Sequence, residues 1–217
     1  INDNNLDKKI KKYVGNFQEH PHFYNIAYFN KGEKALPNIL CKRLNISNRS
    51  HSAFKNGSVK VAISAWDGPG TPKVTFSIIE NKNKNIINGL KNIIKKPLGK
   101  ETIPSSDYLI NMRCEQTRND NSKLEFLKNK TFLNWQVNDT DFKYYSNYLK
   151  RLAAFLISEN YAKGFNLRNP SAKNFAIPKS IWGGAHHMST VPYLKNKILN
   201  NENFQLSIFK NTYVVGS

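Results

Sequence analysis

The residues best suited to chemistry lie in one run, Gly183-Gly184-Ala185-His186-His187-Met188-Ser189-Thr190. A glycine pair lets the backbone approach a bound group closely, and two adjacent imidazoles can take or give a proton near neutral pH. Further on, Asn211-Thr212-Tyr213-Val214-Val215-Gly216-Ser217 is an apolar strand that ends in Gly-Ser, where a missing side chain lets the strand end sit against a ligand. One chemistry suits an imidazole held on a rigid loop: removing a hydroxyl proton while a hydride leaves the adjoining carbon for an acceptor. On residue types alone, adjacent histidines in a glycine-rich loop are more often ordinary surface or hydrogen-bonded loop residues.

Two further segments are distinctive. Val14-Gly15-Asn16-Phe17-Gln18-Glu19-His20-Pro21-His22 places a proline between two imidazoles, which either bracket a site or make structural hydrogen bonds at a domain junction. Arg113-Cys114-Glu115-Gln116-Thr117-Arg118-Asn119-Asp120-Asn121-Ser122-Lys123-Leu124 has the form of a strand and turn, followed by Trp135.

With the double-histidine run and the terminal Asn-Thr-Tyr-Val-Val-Gly-Ser, these segments resemble the glucose–methanol–choline flavoprotein oxidoreductases, and more narrowly their sugar and polyol dehydrogenase branch. Their order and approximate spacing fit that family over nearly the whole chain. The resemblance implies flavin adenine dinucleotide (FAD) as cofactor and an alcohol or sugar as substrate. It also implies His186 as the proton acceptor, Thr190 at the end of its turn, and Gly216, Ser217 and His187 against the cofactor. Trp182, just before the glycines, is the candidate for lining a sugar pocket. Ser189 stands where the family has glycine, and Val191-Pro192-Tyr193 replaces its usual Thr-Arg-Met, so the loop after the histidines is expected to differ in shape.

The same resemblance divides the chain into three parts. Residues 1–22 leave an FAD-binding domain, residues 23–180 form a substrate-binding domain, and residues 181–217 return toward the flavin. The FAD-binding domain itself, and the family's second active-site residue, a His or Asn past Ser217, are expected outside these 217 residues. An electron-acceptor subunit is a further implied partner.

Composition supports a folded chain: 39% apolar and 12% aromatic residues can bury a substantial core. The net charge of +18 would ordinarily point to nucleic acid or an anionic surface. Here the lysines are scattered through Asn-rich segments such as residues 81–100 and 195–201, without clustered arginines and interleaved aromatics, so solvated surface is expected and a nucleic-acid partner is not. Cys41 and Cys114 lack a CxxC rhythm, which argues against a disulfide framework and against zinc, and no metal site is expected. No apolar run approaches the roughly 20 residues needed to span a bilayer.

The elements that must position these residues follow from periodicity. Phe23–Phe29 is rich in strand formers between Pro21 and Gly32. Residues 58–66 and 73–79 alternate around Asp67-Gly68-Pro69-Gly70, which predicts neighbouring antiparallel strands. Leu36–Leu44 suits a short helix or a strand, and Ile86, Ile87, Leu90, Ile93 and Ile94 form one helical stripe ended by Pro97. Residues 108–116 and 123–126 suit strands that flank the turn at Arg118–Asn121. A helix is expected from Asp139 or Thr140, with Phe142, Tyr145, Leu149, Leu152 and Leu156 on its core face. The expected fold class is α+β, a mixed, mainly antiparallel sheet covered by helices on one face. A second class of function fits the same residues: a non-catalytic module that keeps this fold and binds carbohydrate or a polyanion, favoured by Ser189 and the altered residues after it.

Overall fold

A computed structural model describes residues 17–36, 59–82, 106–127, 130–168, 182–183, 199–200 and 205–206. In chain order the strands are β1 (Pro21–Lys31), β2 (Val59–Ala65), β3 (Val74–Glu80), β4 (Tyr108–Cys114), β5 (Lys123–Leu127) and β6 (Lys130–Asn134). Helix α1 (Asp139–Ser158) follows, then β7 (Ala162–Leu167), β8 (Trp182–Gly183), β9 (Leu199–Asn200) and β10 (Gln205–Leu206). The fold is α+β, built on a mainly antiparallel sheet with one helix among the described residues. The chain forms two compact units. One comprises Ile1–His20, Gln116–Asp139 and Gly183–Ser217; the other comprises Pro21–Glu115 and Thr140–Trp182.

The second unit holds the large sheet, in the order β2-β3-β4-β1-β7, with β8 pairing β1 off this path. Strands β2, β3 and β4 pair antiparallel, and alternation gives each of them one apolar face: Val61, Ile63 and Ala65, then Val74, Phe76 and Ile78, then Ile110, Met112 and Cys114 are all buried. The intervening residues point the other way. Between β2 and β3 the chain turns through Gly68-Pro69-Gly70-Thr71. Proline supplies the negative φ, Gly70 takes φ 81°, and Thr71 N–H closes on the Gly68 carbonyl at 3.1 Å.

Helix α1 carries the expected stripe, with Tyr145, Leu149, Leu152 and Leu156 fully buried and Phe142 partly so. The Tyr145 ring lies 6.1 Å from Phe23, a residue of the apolar face, and its hydroxyl donates to the Glu115 carbonyl at 2.6 Å. The helix therefore covers the apolar side of the sheet. It ends in a Schellman arrangement: Asn160 adopts φ 59°, Asn160 N–H bonds the Ile157 carbonyl, and Tyr161 N–H bonds the Leu156 carbonyl at 2.9 Å. Gly32 docks there, its N–H donating to Tyr161 O at 3.0 Å, and a Cβ at this position would overlap the Asn160 carbonyl.

The first unit contains the β5–β6 hairpin and the β9–β10 pair, both antiparallel. Phe17 N–H donates to the Ser122 carbonyl at 2.8 Å, which ties the residues before the proline to the start of β5. The expected strands before and after the Arg118–Asn121 turn are both present, but β4 and β5 belong to different sheets. Strands β6 and β7 escape periodicity. Strand β6 has only five residues, and β7 carries Gly164 at φ 75°, beside a register shift opposite β1. The elements expected at 36–44 and 86–94 lie outside the described residues, apart from Leu36, which is in neither a helix nor a strand.

Candidate functional site

Two clusters of polar side chains stand out, one in each unit. In the first unit, Glu19 and Gln116 are both buried, with exposures of 1% and 8%. Gln116 Oε1 accepts from the Trp135 indole N–H at 2.6 Å and from the Glu19 backbone N–H at 3.4 Å, while the Gln116 carbonyl accepts from Gln18 Nε2 at 3.3 Å. Glu19 Oε1 accepts from the His20 N–H at 2.8 Å. Trp135 meets Phe17 edge to face at 6.5 Å, so the indole is held on its apolar side as well as at its nitrogen. Gly183, which opens the glycine–histidine run, packs against the same carboxyl group: a Cβ there would stand 3.4 Å from Glu19 Cγ and Oε2. Residues from the segments 14–22 and 113–124, Trp135, and Gly183 of the glycine–histidine run thus meet around one buried glutamate and one buried amide.

In the second unit the non-core face of the sheet is polar. Register places Ser64 opposite Thr75, Thr75 opposite Arg113, and Arg113 opposite His22, one row across four strands. Along it Ser64 Oγ lies 3.2 Å from Thr75 Oγ1, and Arg113 Nε donates to His22 Nε2 at 3.0 Å. His22 Nδ1 lies 3.3 Å from the Tyr24 hydroxyl. A second row pairs Ala62 with Ser77 and Ser77 with Asn111. Asn111 Oδ1 accepts from the Asn25 N–H at 2.7 Å, where Asn25 takes φ 51° at the irregularity in β1. Asparagine tolerates that left-handed conformation better than most residues, and Asn111 satisfies the N–H that the bulge takes out of the ladder. These rows line a cleft of about 350 Å³.

His186, His187, Gly216 and Ser217 lie outside the described residues. Trp182 is described through its backbone, in β8 beside β1. His22 is engaged in structural hydrogen bonding to Arg113, and His20 through its backbone to Glu19. Ser64, Thr75, Asn111 and Tyr24 were not singled out by type; the signal for the first three was their place on the polar side of alternating strands. Cys114 belongs to the core, where burial first and Asp141 second push its thiol pKa well up, so it is no nucleophile. Burial likewise raises the Tyr145 phenol, with smaller contributions from Cys114, Asp141 and Glu115.

These features define an α+β protein with a polar cleft on the non-core face of a mainly antiparallel sheet. No family model, curated protein or solved structure matches the chain. No helix among the described residues is long and apolar enough to cross a membrane.

Proposed function

We propose that this chain is the substrate-domain part of an FAD-dependent oxidoreductase that oxidises a CH–OH group of an alcohol or sugar. The supporting observation is the meeting of Glu19, Gln116, Trp135 and Gly183. These residues come from separate segments of the resemblance, Glu19 and Gln116 being 97 positions apart, and they converge around shared buried polar groups. Chance likeness in short segments carries no reason for those segments to pack together.

On this reading His186 accepts the hydroxyl proton of the substrate from a loop whose first residue, Gly183, is anchored beside Glu19. Gly216, Ser217 and His187 would hold FAD, which supplies the acceptor for the hydride. The partners are a small alcohol or sugar, the FAD-binding domain of the same protein, and a possible electron-acceptor subunit.

The test is His186→Ala in the full-length protein. Turnover of alcohols or sugars should be abolished while the visible absorbance of bound flavin persists. Turnover near the wild-type level in that variant, or a wild-type protein that takes up no flavin, overturns the assignment.

A further inference from the structure

The cleft on the polar face of the large sheet has a chemistry of its own. It is lined by His22, Tyr24, Ser64, Thr75, Asn111 and Arg113, among others, and among the described residues its lining includes a guanidinium but no carboxylate. Arg113 is exposed and makes no ion pair among the described residues, where the paired cations are Lys34, Lys60, Arg118 and Arg151. Its Nε is spent on His22 Nε2. That bond leaves Nη1 and Nη2 without a partner among the described residues, the two-nitrogen fork that matches an oxyanion.

Because His22 Nε2 accepts, the ring proton belongs on Nδ1, directed at the Tyr24 hydroxyl 3.3 Å away. The Tyr24 O–H can then donate outward, so Arg113, His22 and Tyr24 form an oriented chain of donors that ends in the cleft. The Tyr24 ring, 55% exposed, offers an apolar platform beside this chain. The Ser64 and Thr75 hydroxyls add short-range donors and acceptors in register with Arg113.

We propose that this cleft binds a small polyhydroxylated anion, with its oxyanion on the Arg113 fork and its hydroxyl-bearing chain along Ser64 and Thr75 and over the Tyr24 ring. A volume of about 350 Å³ suits a ligand of sugar size. The oxyanion is a carboxylate, as in an aldonic acid, or a phosphate, as in a sugar phosphate. The proposal goes beyond the flavin reading, since binding here requires neither cofactor nor turnover.

The experiment is calorimetric titration of the purified protein with D-gluconate, D-glucose 6-phosphate and the neutral polyol D-glucitol. One of the two anions should bind, and D-glucitol should bind about tenfold more weakly or not at all, as expected for loss of a charge-assisted bond. Which anion binds tells carboxylate from phosphate. Arg113→Gln should weaken the anion about tenfold at unchanged circular dichroism, and Tyr24→Ala, at an exposed position that leaves folding intact, should weaken it several-fold. Equal binding of D-glucitol, no binding of either anion, or unchanged affinity in Tyr24→Ala and in a folded Arg113→Gln would each overturn the proposal.

Discussion

The indole N–H of Trp135 donates to Gln116 Oε1 at 2.6 Å. The same oxygen takes the Glu19 N–H, so one buried amide holds two chain segments at once. Gln116 Nε2 is buried with no hydrogen-bond partner among the described residues.

Trp135→Phe should therefore destabilise the first unit. The ring can still meet Phe17, but the bond to Gln116 Oε1 is lost in a buried setting, at a cost of about 1–3 kcal/mol. Urea unfolding followed by circular dichroism measures this. A change below a few tenths of a kcal/mol would mean that the bond contributes nothing.

Gly32→Ala should be costly for a different reason. The added methyl meets backbone, the Asn160 carbonyl and the Tyr161 carbonyl carbon at 2.8 Å, so the helix end or the strand end must move. Loss of the two backbone bonds seated there, Gly32 N to Tyr161 O and Lys34 N to Asn160 O, follows from that movement. A loss of more than about 1 kcal/mol is expected, read from the thermal midpoint. An unchanged midpoint would contradict the close approach.

Alkaline pH should weaken the fold through Tyr148. Burial first, then the charge of Asp67, pushes its phenol up from an ordinary value of 10.0 to about 12. Above pH 10 the unfolded chain releases this proton while the folded chain keeps it, so the unfolded state binds fewer protons and stability falls as pH rises toward 12. The contribution is fully present below pH 10. Tyr145 and Tyr108, both raised mainly by burial, act in the same direction. Urea midpoints measured across this range should decline, and in Tyr148→Phe the decline should be shallower. Equal slopes in the two proteins would remove Tyr148 from the account.

Much of the large sheet and its helix was legible because local patterns and tertiary demands agree. Alternation at residues 58–66, 73–79 and 108–116 corresponds to strands with one buried face, and the stripe from Tyr145 to Leu156 is the buried face of α1. Where they disagree, the sequence misleads or is silent. Gly164 and the short polar run around it carry no strand signal, yet β7 forms because β1 offers an open ladder on that side. The polar members of the strands were visible as types, but neither Arg113 nor Thr75 declared itself as part of a site.

The sequence by itself determined the alternation, the helical stripe, the Gly-Pro-Gly turn and the residue types able to move a proton, since each depends on neighbours within a few positions. Only the tertiary structure decided which distant residues meet. Strand register aligned Ser64, Thr75, Arg113 and His22 in one row, and buried hydrogen bonds brought Glu19, Gln116 and Trp135 together. Such meetings are set by the packing of whole elements, because a one-residue slip in any strand would turn its polar side chains to the opposite face.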